Sequence, residues 1–288
     1  MRCPSCREPL GETLRCTNGH QFHETAGVLA LLDADFARRL RPFTTRLAEI
    51  RAAEGQTLPD PAVYAMLPYA AALQGNHEWR NRGYDLAVLN ALLPGRPLAV
   101  LDVGAWNGWL SNRLALLGHT VTAVDYFDDQ HDGLRARQFY HATWRAIQIN
   151  LADLAPLDEL FDLVVLNRCL AFASDPRAFV QAVQQRVKPG GLLVLTGLEL
   201  FRNPSRKIAA VAVLCQRYQV QYDFELFLAP TRGYLDFGDK AALESLGVAV
   251  RPYPQLWRAN LRALLRPARP WHAYGVWRRA GGIDHSRR

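Results

Sequence analysis

Two groups of residues have the types and spacing to do chemistry. The first is Cys3-Pro-Ser-Cys6 followed, after nine residues, by Cys16-Thr-Asn-Gly-His20. A Cys-x-x-Cys turn brings two thiolates to one tetrahedral ion, and Cys16 with His20 supplies a second pair. Three thiolates and one imidazole suit Zn2+ in a reducing compartment, where disulfides are rare. His23 competes with His20 for the fourth position. Four protein ligands leave no open site, so the metal would be structural, stapling a segment too short to fold on its own core. Cys169 and Cys215 stand alone in apolar surroundings and read as small packed hydrophobes.

The second group is Leu98-Ala-Val-Leu-Asp-Val-Gly-Ala-Trp-Asn-Gly-Trp-Leu-Ser111, a buried strand running into a tight turn and a helix. Twenty-one residues after Gly104, the apolar run Thr120–Val124 ends on Asp125. Strand, glycine turn, helix and an acid closing the next strand form half of a nucleotide-binding α/β fold. The Gly104–Gly108 loop brings backbone N–H groups near an anionic moiety, and Asp125 can accept both ribose hydroxyls. Of the dinucleotide fingerprint Gly-x-Gly-x-x-Gly only the first glycine is present, with Trp106 and Trp109 in place of the others. A ligand without a pyrophosphate tolerates such a loop better.

The elements that must position these groups alternate regularly. Helices are predicted from Asp33 or Asp35 to about Glu54, broken or kinked by Pro42, and from about His77 to Leu93. The second should lie close to the loop, making Arg80, Arg82 and Tyr84 candidates to reach a ligand. Strands follow at Leu98–Val103, Thr120–Val124, Ala146–Asn150, Phe161–Leu166 and Leu192–Thr196, with helices at Trp109–Leu117, Gly133–Trp144 and Phe179–Val187. The pattern implies a Rossmann-like, mostly parallel sheet with helices on both faces, plus a small N-terminal zinc ribbon. Gly104, Asp125, Asp153 and Asn167 fall at strand carboxyl ends and should line one crevice. Asp153 and Leu154 lie where an adenine amino group and ring face would sit, and Asn167 to Phe172 form a wall shared with substrate. Domain bounds of 1–32 (ribbon), 33–95 (helical linker and cap) and 96–288 follow, with an insertion at about 199–238. Within it, Ser205–Tyr218 reads as a helix and Gln219–Leu228 as a strand, overhanging the sheet like a lid.

The net charge of +7 is concentrated at one end. Nine arginines and a single acid, Asp284, lie from Arg251 onward. Val248–Tyr253 and Ala273–Trp277 read as closing antiparallel strands. Arg258, Arg262 and Arg266 between them share one side of a helix that carries Trp257, Leu261, Leu264 and Leu265 on the other. This segment could meet RNA, an anionic membrane or an acidic acceptor. No apolar run reaches the roughly 20 residues of a membrane span, and no signal peptide opens the chain, so a cytoplasmic protein is expected.

Leu101-Asp-Val-Gly-Ala-Trp-Asn-Gly-Trp-Leu-Ser111, Asp125 and Arg186-Val-Lys-Pro-Gly-Gly191 resemble the class I S-adenosylmethionine-dependent methyltransferases over about Asn76 to Thr196. Asp128-Asp-Gln-His-Asp132-Gly-Leu134 resembles the Asp-x-x-Asp-Gly-Leu of members whose loop reads Gly-Ala-Gly-Asn-Gly-Trp-Leu-Ser. An N-terminal ribbon fused to such a domain is similar to the arrangement in ribosomal RNA guanine methyltransferases. The resemblance implies S-adenosylmethionine as cofactor. The loop Gly104, Ala105, Trp106, Asn107 and Gly108 would hold the methionine moiety, and Asp102 would brace it. Asp125 with Tyr126 would sit at the ribose, Asp153 and Leu154 at the adenine, and Asn167 at the shared wall. Trp106 departs from the pattern: its indole must swing outward or fill part of the pocket. The implied activity is methyl transfer to a small or medium-sized acceptor, with ribosomal RNA or a catalytically degenerate binding protein as alternatives. A general base is needed only if the acceptor loses a proton, and His131, His141 and Asp132 are near enough in sequence to serve. Neither the acceptor atom nor the oligomeric state follows from the sequence.

Overall fold

A computed structural model describes residues 1–58 and 60–281. These form a ten-stranded sheet whose order is β1-β2-β5-β4-β3-β6-β7-β10-β9, with a short β8 beside the end of β7. The strands are β1 (His23–Thr25), β2 (Val28–Leu31), β3 (Ala99–Val103), β4 (Thr120–Asp125) and β5 (Arg145–Ile149). They continue with β6 (Phe161–Asn167), β7 (Val187–Phe201), β8 (Leu235–Asp236), β9 (Ala249–Pro252) and β10 (Trp271–Arg278). From β2 to β7 along the sheet every pairing is parallel, whereas β1, β10 and β9 join antiparallel. The chain winds outward from β3 to β4 and β5, then returns to β6 and β7 on the other side. The order therefore reverses between β3 and β6, and the strand carboxyl ends at such a reversal are where sheets of this kind take their ligands.

The central strands are apolar runs buried on both faces, as parallel sheets require. One face packs Leu101, Val103, Val164 and Leu166 with the first cysteine turn. The other packs Val100, Val121, Leu163 and Val165 under Trp79, Leu86, Leu89 and Trp109. The helices are α1 (Ala34–Ala53), α2 (Pro61–Met66), α3 (His77–Leu92), α4 (Trp109–Leu116), α5 (Pro176–Gln184), α6 (Ser205–Tyr222), α7 (Phe237–Ser245) and α8 (Trp257–Leu265). Asp33, Asn76 and Asp175 start α1, α3 and α5 by accepting from backbone amides two or three residues on.

The N-terminal segment is part of this body. Val28–Leu31, the last residues of the expected ribbon, pair in parallel with Ala146–Ile149, so the boundary drawn at residue 32 falls at the end of a strand of the main sheet.

Three expected elements differ. Helix α1 runs through Pro42 without a break: Phe36, Leu40, Thr44 and Ile50 hold its buried face, and the Thr44 hydroxyl donates to Leu40 O at 3.1 Å. Residues 133–144 contain only a 3-10 turn, Leu134–Phe139. Arg137 there donates to Gly27 O and Trp144 O, spending its side chain on tertiary partners. The residues expected to start a strand at Gln219 extend α6 to Tyr222, which ends at Asp223 in a left-handed conformation. Tyr218, Tyr222 and Phe224 pack on α1 beside Phe43, Leu47 and Ile50, and the two tyrosine hydroxyls donate to Glu54. Long-range packing thus takes up what looked like strand alternation. Elsewhere α6 is largely exposed.

Candidate cofactor crevice and cysteine cluster

The loop after β3 is tied to the end of β4. Gly104 and Ala105 donate to Val124 O, Gly108 donates to Ala105 O, and the Trp106 N–H donates to Asp125 Oδ2 at 2.8 Å. The turn thus consumes its own donors, and the Asn107 N–H is left without an acceptor among the described residues. The expected cradle of loop amides is therefore mostly closed. Gly104 is required by contact as well as by its φ of 72°: an added Cβ would sit 2.7 Å from Cys169 Cβ. Gly108 likewise leaves room for the Trp144 ring.

Trp106 has a φ of 52°, in the left-handed region where glycine is the usual residue. Its indole leaves the loop toward α3 and stacks on Trp79, with centroids 5.8 Å apart and planes 24° apart. The Arg82 guanidinium lies 4.7 Å from the Trp79 ring and 5.2 Å from the Trp106 ring. Burial, with Arg168 nearby, lowers the Arg82 pKa to about 10, which leaves it cationic at neutral pH. Of the three α3 candidates, Arg82 packs over the loop residue Trp106 and Arg80 is exposed.

Asp102 is fully buried at the base of the loop, where Ser111 Oγ donates to its Oδ2 at 2.7 Å. Burial pushes its pKa up to about 7, and its other oxygen has no hydrogen-bond partner among the described residues. Asp125 accepts at Oδ1 from Phe127 N–H and at Oδ2 from Trp106 N–H. Burial raises its pKa and these amides oppose the rise. Each carboxylate oxygen has two acceptor directions, so a vicinal diol can still be accommodated. Tyr126 follows, with its phenol pKa raised by burial.

Asp102, Gly104 to Gly108, Asp125, Tyr126 and Asn167 are thus brought to one edge, at the ends of β3, β4 and β6. Asp153 and Leu154 are not. Asp153 Oδ2 accepts from Arg7 at 2.6 Å, and Leu154 is buried in the core cluster that contains Cys3 and Cys16. Three residues of turn beyond β5 carry both to the cysteine segment. The residues immediately past the strand end are Asn150 and Leu151, which sequence reasoning passed over because an acid drew attention to position 153.

A buried carboxylate on α3 was also missed. Asp85 is 0% exposed and accepts from Arg168 Nε at 2.6 Å, Tyr253 O–H at 2.6 Å and Asn167 Nδ2 at 3.0 Å. Asn167 donates further to Thr196 Oγ1, and the Gly197 N–H donates to the Tyr253 oxygen. The network joins α3 to the ends of β6 and β9 and to Thr196 and Gly197 within β7. Next to it, His272 Nδ1 lies 3.8 Å from Glu199 Oε1. Burial lowers the His272 pKa, and Arg168 adds to this while Glu199 opposes it. Of the three residues named earlier as bases, Asp132 is buried against Arg51 at 2.7 Å and His131 stacks on Phe139. On the shared wall, Thr231 of the insertion donates to Ala171 O.

At the N-terminus the ligand atoms of Cys3, Cys6, Cys16 and His20 all lie within 4.8 Å of one another. Cys6 Sγ–Cys16 Sγ is 3.6 Å and Cys16 Sγ–His20 Nδ1 is 3.3 Å. Metal–ligand bonds of about 2.3 Å to sulfur and 2.0 Å to nitrogen give tetrahedral edges of about this length. His23 lies on β1, exposed.

A methyltransferase domain model matches residues 101–195. Ubiquinone biosynthesis O-methyltransferase from Cereibacter sphaeroides is 30% identical over 190 residues, covering 61% of this chain and 73% of that protein. The protein of the same name from Pseudomonas syringae is 32% identical over 172 residues, covering 54% and 73%. An S-adenosylmethionine-dependent methyltransferase structure from Mesorhizobium loti aligns with a TM-score of 0.46 at 19% identity, over 68% of this chain and 98% of that one. On the sequence matches, the chain belongs to the class I S-adenosylmethionine-dependent methyltransferases. It is an enzyme of that class, and a small-molecule acceptor fits its relatives. Among the described residues no helix is long and apolar enough to cross a membrane.

Proposed function

We propose that the chain transfers the S-adenosylmethionine methyl group to a hydroxyl oxygen of a small or medium-sized acceptor. The observation that carries this is the placement of Asp125, Arg82 and the Asp85 network at the strand ends where the strand order reverses, together with relatives named as O-methyltransferases. Bound there, the cofactor supplies an electrophilic methyl on a sulfonium with a good leaving group. In this reading Asp125 accepts from the ribose hydroxyls, with Tyr126 beside it. Arg82, helped by the Asn107 N–H, holds the methionine carboxylate in place of the closed loop amides. Asn150 and Leu151 meet the adenine where Asp153 and Leu154 were expected. Asp102, Gly104, Ala105 and Gly108 shape the loop, Trp106 braces Arg82, and Asn167 holds the wall.

A hydroxyl acceptor must lose its proton as its oxygen takes the methyl. His272, kept neutral by burial beside Glu199, is the proposed recipient of that proton. The protein otherwise aligns and desolvates the acceptor. We further propose that Cys3, Cys6, Cys16 and His20 hold a structural Zn2+ ion, outside the chemistry.

The test is incubation with methyl-labelled S-adenosylmethionine, a panel of small phenols and catechols, and bulk RNA. Label on a hydroxyl oxygen is expected, with His272→Gln lowering kcat far more than it changes KM. Label in RNA, or on nitrogen or carbon alone, overturns the reading, as does a panel that stays unlabelled.

A further inference from the structure

Helix α8 has three sides of different character. Asn260 and Ala263 are buried, and Asn260 clamps the helix to β10 through a donor to His272 O at 2.9 Å and an acceptor for His272 N–H at 2.7 Å. Next to this buried side, Trp257, Leu261, Leu264 and Leu265 form a stripe at helical spacing, and they are 58%, 53%, 50% and 81% exposed. Beyond the stripe stand Arg258 and Arg262. Arg262, Leu265, Arg266 and Arg269 then line an open surface cleft of about 360 Å³. No acidic residue occurs between Arg251 and Gly281.

Each half of this surface needs a different partner. A solvated surface helix gains nothing from four large apolar side chains left in water, where each keeps the cost of hydrating its area. A cleft lined by three arginines with no acid nearby in the chain suits phosphate, which arginine binds through paired N–H donors. A polynucleotide would satisfy the arginines and leave the leucine stripe in water. A bilayer of anionic phospholipid satisfies both at once, with phosphate on the arginines and acyl carbon on the stripe. Trp257, at one end of the stripe, is the residue type that sits at the boundary between them. We propose that α8 lies in the surface of an anionic membrane, with the arginine cleft taking a lipid phosphate. The helix is two to three turns long and would rest in the headgroup layer without crossing it.

The test uses the full chain and sedimentation with sucrose-loaded vesicles, of phosphatidylcholine alone or with 30 mol% phosphatidylglycerol. Binding is expected only to the anionic vesicles, and it should fall steeply as salt rises from 50 to 500 mM. Arg262→Gln and Arg266→Gln should each weaken partitioning by roughly fivefold. Leu261→Glu and Leu265→Glu should abolish it even at low salt. All four side chains are exposed, so thermal unfolding and methyl transfer to a soluble acceptor should stay unchanged. Equal binding to neutral vesicles overturns the proposal, as does anionic binding that survives both leucine variants. A transfer-RNA competitor that binds α8 with those leucines replaced assigns the surface to RNA and likewise overturns it.

Discussion

Replacing Asp85 by Asn alters one atom of the carboxylate and should cost more than most core truncations. Oδ1 accepts from the Tyr253 hydroxyl and lies 3.4 Å from Arg168 Nη2, while Oδ2 accepts from Arg168 Nε and Asn167 Nδ2. Whichever oxygen becomes an NH2 group, two donors then face a donor. Each buried donor left without an acceptor costs about 1–3 kcal/mol. The mostly buried Arg168 guanidinium also loses its counter-charge, and breaking such a pair from one side typically costs about 3–5 kcal/mol. The two descriptions overlap, so the expected loss is about 3–5 kcal/mol in all. For a chain of 288 residues that is a fall in Tm of roughly 5–8 °C. Because α3 also carries Trp79 and Arg82, cofactor affinity should fall with stability. Urea unfolding of wild type and Asp85→Asn, read by tryptophan fluorescence, gives the number. The double variant Asp85→Leu, Arg168→Met should recover at least half of the loss, because it removes the stranded charge. A loss below 1 kcal/mol, or a double variant no better than the sum of the singles, would refute the assignment of α3's anchorage to this network.

Three further outcomes are expected. Trp106→Gly relieves about 1–2 kcal/mol of left-handed strain and forfeits a similar amount in the stack on Trp79 and Arg82, so stability should change little. S-adenosylmethionine titration calorimetry should find wild-type binding tighter than millimolar; weaker binding that Trp106→Gly restores would show that the indole blocks the site. Asp102 is raised from 3.8 to about 7, so the folded state holds a proton there that the unfolded chain releases. Wild-type stability should therefore decline relative to Asp102→Asn as pH rises from about 4 to 7, then run parallel. Denaturant midpoints at pH 5 and pH 8 decide this, and a difference that does not change with pH counts against it. Metal analysis should give one zinc per chain, lost in Cys6→Ser, with cobalt substitution producing a tetrahedral visible spectrum; zinc-free protein that unfolds at the same temperature would exclude a structural metal.

What the sequence made legible was local. The strand, loop and helix from Ala99 to Leu116, the acid at 125 and the parallel alternation are written in consecutive residues, and so is the Cys-x-x-Cys turn. The functional neighbourhood is only partly of this kind. Asp85 is one polar residue in a helix pattern, and nothing nearby in the chain announces that Arg168 and Tyr253 will converge on it. Arg82 could be named as a candidate, but its place between two indoles depends on Trp106 turning outward. Asp153 looked like the adenine residue because it is an acid just after a strand; its actual partner, Arg7, lies almost the whole nucleotide half of the chain away. The aromatic alternation from Tyr218 to Leu226 was misread for the same reason, since it is matched to α1 and not to a neighbouring strand.

The parallel pairing of β2 with β5 has a consequence for how the molecule comes into being. The cysteine turn and Val28–Leu31 leave the ribosome well before the partner strand Ala146–Ile149, which follows more than a hundred residues later. Until then the apolar Val28-Leu-Ala-Leu31 has no sheet to join, and β5 on arrival would be an open edge if that segment were missing. A shortened gene beginning at residue 33 would look like a clean excision of a small appendage. Its product would expose the side of Arg145-Ala-Ile-Gln-Ile149 to any other strand and should collect in inclusion bodies. Grafting or trimming this enzyme therefore has to treat residues 1–31 as the cover of an otherwise open sheet edge at β5.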